Sequence, residues 1–317
     1  MPRDFTPVHP ELRKQAKMFP RLPFNRWSIP ILQRLTRLMP KRPIPNDILI
    51  DQIYIKSPDQ KHSIRLRIYK PKVMMSSVPV LLWMHGGGMV IGSPEQSDIP
   101  LFRMVQALGI MVVSVDYRLA PYSPFPTPLD DCYAALKWVH NFATALDVDP
   151  QRIAIGGESA GGGLAASLVQ LAHDRGEIHP IFQLLIYPML DDKSTLRTDL
   201  SHVDLHTWTQ ANNRFGWESY LGHPCGSDNL PPYAVPSQRE SLKGLPPAWI
   251  GVGTLDLFHD EDVAYAQKLK STGVDCELMT IDGAFHGFDQ FDHDLPVVQA
   301  FRKSQIEALR KHLFPAS

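Results

Sequence analysis

With 317 residues, and 32 lysines and arginines set against 33 aspartates and glutamates, the chain can bury a sizeable core. It carries too little net charge to follow a nucleic-acid backbone over its whole surface. No stretch approaches the ~20 apolar residues of a membrane span, and no apolar run of signal-peptide type opens the chain. The cysteines, Cys132, Cys225 and Cys276, are few and far apart. They give no sign of a disulfide framework or a zinc ribbon, so a reduced, cytoplasmic enzyme is the expected class.

Residues 1–45 are basic (Arg13, Lys14, Lys17, Arg21, Arg26, Arg34, Arg37) and carry apolar anchors such as Phe19, Phe24, Trp27, Ile31 and Leu35. Pro20, Pro23, Pro30 and Pro40 interrupt any long amphipathic helix. Short broken helices lying over the domain as an arm are therefore expected, rather than a targeting peptide. Residues 48–55 and 63–69 follow; Ile64, Leu66 and Ile68 alternate with Arg65 and Arg67, which predicts an antiparallel pair of strands.

Beyond residue 77 the rhythm changes. Apolar runs at 78–84, 110–115, 153–155, 181–187 and 248–252, and a mixed run at 275–281, alternate with helical patterns at 99–108, 129–146, 160–173, 261–270 and 297–313. Such alternation predicts a parallel sheet covered on both faces, with ligands at the carboxyl ends of its strands. Residues 190–240 are too long for one crossover. They hold Leu205, Trp208, Phe215, Trp217 and Tyr220, and a helical insertion above the strand ends is expected. For these aromatics, ordinary insertion core and a pocket wall are equal readings.

Four features each follow a predicted strand. His85-Gly86-Gly87-Gly88 could point backbone N–H groups at a ligand oxygen, or simply form a flexible loop. Ser159 lies in Gly157-Glu158-Ser159-Ala160-Gly161, a serine at a strand-to-helix corner with glycine two places either side. That is the layout of a nucleophile elbow, although glycine-rich corners also serve phosphates. Asp256 follows the run at 248–252; Asp260, just before the next helical pattern, better suits an N-cap. His286 follows 275–281, and His293 is its nearest rival. The order serine, aspartate, histidine, each after its own strand, is that of a hydrolytic triad on a parallel sheet. The loose dinucleotide pattern Gly161, Gly163, Ala166 falls inside a helix, and His202 and His206 lack the glutamate of a zinc-protease helix.

These residues together resemble the hormone-sensitive-lipase-like family of α/β-hydrolase esterases. The matching pieces are 85–88, Asp116-Tyr117-Arg118-Leu119-Ala120-Pro121, Pro124-Phe125-Pro126, 157–162, 256–260 and His286-Gly287-Phe288. The resemblance implies an α/β-hydrolase fold: an eight-stranded, mostly parallel sheet with helices on both faces and a helical cap. The catalytic domain would be 46–189 with 241–317, and the cap would be the arm 1–45 with the insertion 190–240. Ser159, Asp256 and His286 would be catalytic, and the amides of Gly86, Gly87 and Ala160 would form the oxyanion hole. His85, Gly88, Gly157, Glu158 and Gly161 would support them, and Met89, Tyr187, Leu205, Trp208, Phe215 and Phe285 are candidates for the pocket.

Esters of short to medium acyl chains are the implied substrates, with no cofactor and no metal. The expected partner is the small ester itself, with a homodimer left open. Departures from the family pattern are Glu158 for the frequent aspartate, Met89 for an aromatic, and Tyr122-Ser123 for an acid–histidine pair. They bear on the pocket and its preference rather than on the chemistry. Amide or formamide hydrolysis by the same triad, and a non-catalytic receptor on the same fold, are the alternatives.

Overall fold

The computed structural model describes residues 4–18, 23–37, 42–199, 207–290 and 293–315. Its centre is an eight-stranded sheet ordered β1-β2-β4-β3-β5-β6-β7-β8. Strands β1 (Ile48–Lys56) and β2 (Ser63–Pro71) form the antiparallel hairpin read from their alternation, and β2 also runs antiparallel to β4 (Met111–Asp116). Strands β3 (Val78–Met84), β5 (Val148–Glu158), β6 (Phe182–Ile186), β7 (Ala248–Gly253) and β8 (Cys276–Ile281) complete the sheet in parallel with β4.

Because successive side chains of a strand point to opposite faces, one apolar run supplies two cores. In β3, Val80, Leu82 and Met84 join one core and Leu81 and Trp83 the other. The first core is covered by α4 (Thr127–Asn141), α5 (Ala160–Arg175) and α7 (His259–Ser271), and the second by α3 (Asp98–Leu108) and α8 (Pro296–Leu313).

Local boundaries differ from the sequence reading in two places. The helix expected over 129–146 stops at Asn141; turns carry the chain to Asp147, whose φ is +56°. Strand β5 then begins at Val148, because Val78 pairs with Val148 before the register shifts. Asp149 and Arg152, which look like loop residues, lie on its exposed start and pair with each other at 2.7 Å.

The N-terminal arm does two separate things. A 3-10 turn (Pro10–Leu12) and α1 (Arg13–Met18) bury Val8, Leu12 and Ala16 in the α3/α8 core, and the His9 amide donates to the Gly283 carbonyl at 2.9 Å. Its second helix, α2 (Ser28–Arg37), drops Ile29 into the opposite core. Just before it, Phe24 meets the insertion: its amide donates to Asn212 at 3.1 Å, and its ring stands edge-on to Trp208 at 5.3 Å. The insertion contributes α6 (Gln210–Leu221) and little other regular structure. Among the described residues, no helix is long and apolar enough to cross a membrane.

Candidate active site

Strand β5 ends at Glu158 and α5 begins at Ala160, leaving Ser159 alone to turn the chain. It does so at φ +56° and ψ −123°, a strained conformation that costs on the order of 1–3 kcal/mol for a non-glycine residue. A side chain at Gly157 would run into the Gly161 carbonyl, and one at Gly161 into the carbonyls of Met84 and His85. Strand β3 and the first turn of α5 therefore approach closely enough only with glycine at both places. The turn is pinned by the Ser159 amide donating to Ile186 and by the Ser159 carbonyl accepting from Gly163 and Met189, at 2.9, 3.0 and 3.0 Å.

His286 lies in the loop after β8, and its Nε2 is 2.8 Å from Ser159 Oγ. Its Nδ1 is 2.7 Å from Asp256 Oδ2, in the loop after β7. A carboxylate only accepts, so Nδ1 carries the imidazole proton and Nε2 is left to accept from the serine hydroxyl. The other oxygen of Asp256 accepts the Phe258 amide at 2.9 Å, and the carboxyl group is fully buried. Aromatic rings of Tyr187 and Phe258 stand edge-on to the imidazole at 4.8 and 5.0 Å, and Thr207 Oγ1 donates to the His286 carbonyl at 2.6 Å. The rival His293 stands apart, half-buried, with its imidazole pushed down to about 4 by burial and by the nearby Arg302 and Arg103.

The N-cap expected of Asp260 is absent. Helix α7 starts at His259 with Phe258 in the cap position, and Asp260 lies inside the first turn, paired with Arg197 at 2.8 Å and with His259 at 2.8 Å. Asp256 is what holds the Phe258 amide at this corner. Its two carboxylate oxygens divide between that amide and the histidine.

The glycine loop after β3 passes beside the serine: a Cβ placed on Gly86 would lie 3.3 Å from Ser159 Cβ. Gly87 adopts φ +118° and Gly88 φ +61°. Among the described residues, the amides of Gly86 and Gly87 donate to no protein acceptor. That of Ala160 opens α5 and has no intrahelical partner. His85 supports the loop from below, stacked on Tyr117 at 4.3 Å with Nδ1 2.8 Å from the Gly86 carbonyl. Burial pushes its imidazole pKa down, so the ring is neutral and its one N–H faces that carbonyl. Above the loop, Trp208 packs so closely that any side chain at Gly88 would strike its indole.

Ser159, His286 and Gly86 open into a cavity of about 400 Å³. Tyr187 and Trp208 line it, as the sequence reading proposed. Met89 and Phe285 are buried in the cores instead, Phe215 packs half-buried against one of them, and Leu205 lies outside the described residues. Residues not anticipated are Phe24 and Arg42 from the arm, Ile91 and Gln96 after the glycine loop, Thr207, and Gln290 after the histidine. The two glutamines carried a usable signal, since each sits a few residues past a glycine or histidine motif. Phe24 and Arg42 carried none, because their approach depends on how the arm folds back.

Glu158 joins these parts. Its Oε1 accepts from Ser97 Oγ at 3.0 Å and Gln96 Nε2 at 3.2 Å, and its Oε2 from Gln290 Nε2 at 2.6 Å. Burial, with a smaller push from Asp289, raises its pKa against the pull of these bonds. Gln290 also donates to the Tyr187 hydroxyl at 3.1 Å, which in turn donates to Asp289 at 2.8 Å. The elbow is thus tied to the histidine loop through one carboxyl group. Among the described residues, no group of three or more histidines, cysteines or acids is placed to hold a metal ion.

Comparison with known proteins gives a consistent picture. A family model described as the alpha/beta hydrolase fold matches residues 81–290. Carboxylesterase NlhH of Mycobacterium tuberculosis is 36% identical over 255 residues, covering 79% of each chain. An ethyl acetate hydrolase of Pseudomonas putida is 33% identical over 256 residues, covering 80% of each. Among solved structures, a bacterial heroin esterase superposes with a TM-score of 0.88 at 34% identity, covering 98% of this chain and 99% of that one.

Proposed function

Because the chain belongs to the hormone-sensitive-lipase-like family of α/β-hydrolase esterases and is a carboxylesterase, we propose that it cleaves esters of short to medium acyl chains through an acyl-enzyme on Ser159. The observation that carries this reading is the unbroken line Ser159 Oγ, His286, Asp256, with contacts of 2.8 and 2.7 Å, at a cavity of about 400 Å³. The ethyl acetate named for one relative is itself a short acyl ester and agrees with a cavity of this size.

His286 Nε2 takes the Ser159 proton as Oγ attacks the ester carbonyl, and the Nδ1 hydrogen bond to Asp256 holds the tautomer and stabilises the imidazolium. The carbonyl oxygen becomes an oxyanion facing the amides of Gly86, Gly87 and Ala160, where each donor contributes on the order of 10²–10³ in rate. His286 then returns its proton to the leaving alcohol as the C–O bond breaks. Water next yields a proton to Nε2, attacks the acyl-enzyme, and Ser159 leaves with that proton restored.

The test is Ser159→Ala. Turnover of p-nitrophenyl acetate or butyrate is expected to fall by on the order of 10⁶-fold, since removing the nucleophile of such a triad disables it as a unit. The thermal midpoint should not fall, because the strained turn persists with a smaller side chain. Undiminished turnover would remove Ser159 from the mechanism.

A further inference from the structure

Helix α2 buries one face and leaves the other bare. Ile29 is fully buried, whereas Trp27, Ile31 and Leu35 are 88%, 60% and 55% exposed. Ile31 and Leu35, four residues apart, lie on one stripe of the helix surface, and Trp27 stands in the turn just ahead of it. The fold does not need that stripe: Ile29 and a bond from Gln33 Nε2 to the Val90 carbonyl at 2.8 Å already hold the helix down. Polar side chains would serve a free monomer better, and a contiguous bare patch of this kind marks an interaction surface.

Charge chooses among the occupants. Arg26 and Arg34 are exposed beside the stripe, and no acid among the described residues pairs with either. The stretch 23–45 that carries the helix holds Arg26, Arg34, Arg37, Lys41 and Arg42 and no aspartate or glutamate. Three side chains on one helix and the turn before it also fall well short of the about 800 Å² per partner of a standard protein interface. An apolar stripe with tryptophan at its end and arginine along its flank instead matches the boundary between acyl chains and anionic headgroups.

We propose that α2 seats this chain on an anionic lipid surface, with Trp27, Ile31 and Leu35 entering the acyl boundary and Arg26 and Arg34 meeting the headgroups. Adsorption of this kind needs no membrane span. Phe24, which lines the cavity, lies just ahead of the same helix, so esters dissolved in the lipid would meet the enzyme beside its site; that last step alone rests on the hydrolytic reading.

The experiment is flotation of the full-length protein with vesicles of equal parts phosphatidylcholine and phosphatidylglycerol, beside vesicles of phosphatidylcholine alone. The protein should float with the anionic vesicles, and less so as salt is raised. In the triple variant Trp27→Ser, Ile31→Gln, Leu35→Gln the partition coefficient should fall by at least about tenfold. Arg26→Gln with Arg34→Gln should reduce it several-fold and flatten the salt dependence. The triple variant should keep its turnover of water-soluble p-nitrophenyl acetate and its thermal midpoint, which separates lost binding from lost folding. Absence of turnover in every form would overturn the hydrolytic reading and leave the flotation result standing. The proposal fails if the native protein does not float, or if the triple variant floats as well as the native protein. It fails equally if light scattering finds a dimer that the triple variant dissolves, since α2 would then join two copies of the chain.

Discussion

Asp256 and Asp260 sit at the same corner, yet only Asp256 faces the imidazole. Its carboxyl is fully buried, whereas that of Asp260 is 61% exposed and ion-paired with Arg197. Replacing Asp256 with asparagine would present an N–H to His286 Nδ1 and force the proton onto Nε2, which then cannot accept from Ser159. A loss of roughly 10⁴ in kcat is expected for Asp256→Asn, the scale seen when the wrong tautomer is imposed on such a triad. Asp260→Asn should leave kcat within about twofold, because an exposed ion pair contributes little. Steady-state kinetics of the two variants in parallel decides the assignment, and a larger loss from Asp260→Asn would reverse it. The sequence reading named Asp256 and assigned Asp260 to the helix cap, yet Asp260 lies inside the first turn and Phe258 takes the cap. The start of α7 at His259, two residues earlier than the helical pattern at 261–270, takes Asp260 out of the cap position. Glu158 teaches a related lesson. A carboxyl next to the serine was visible as a departure from aspartate. Its role as a tie between Gln96, Ser97 and Gln290 required residues far apart in the chain to be brought together.

At the scale of elements, the strands and the main helices were legible because each apolar run is bounded by proline, glycine or charge, and because buried parallel strands read as continuous apolar segments. The arm was not. Its prolines predicted short helices, which is what forms, but a single cap element was expected and two separately docked pieces are found. Among the described residues of the arm, Phe24 and Arg42 border the cavity and the α1 piece does not. Hydrophobic pattern cannot distinguish the two, since Leu12 and Ile29 are both buried anchors, each under a different face of the sheet. This gives Phe24 a testable weight. Phe24→Ala removes an edge-on contact with Trp208, worth about 0.5–1.5 kcal/mol, while the backbone bond from residue 24 to Asn212 remains. The space released should admit longer acyl chains. Relative to the acetate ester, kcat/KM for the longest p-nitrophenyl esters should rise by about tenfold, the discrimination a hydrophobic pocket earns from a methylene or two. An unchanged acyl-length profile would remove Phe24 from the acyl path.

At the scale of the whole molecule, the sheet's loop edge concentrates buried acids. Glu158 lies beside the serine, and Glu261 and Asp262 open α7. Glu261 Oε1 accepts the amides of Leu190 and Asp191 at 2.7 and 3.1 Å and so anchors the start of the insertion. Neither oxygen of Asp262 has a partner among the described residues. Burial drives both pKa values well above the usual carboxylate range, for Asp262 with further pushes from Glu261 and Asp256. A carboxyl whose pKa is raised on folding holds more protons in the native state than in the unfolded one. Its stabilising contribution is therefore complete below the unfolded value and is lost as pH rises through the folded value. The thermal midpoint should accordingly decline as pH rises above the ordinary carboxylate range by more than surface groups alone would give. Asp262→Asn removes one ionisation and should shallow that decline, although the amide must still find hydrogen-bond partners. The slope, not the absolute midpoint, is the quantity to compare. An identical slope in the variant would mean that Asp262 is ionised in the folded protein as it is in the unfolded chain, so that its pKa is not raised and it does not set the alkaline limit of the fold.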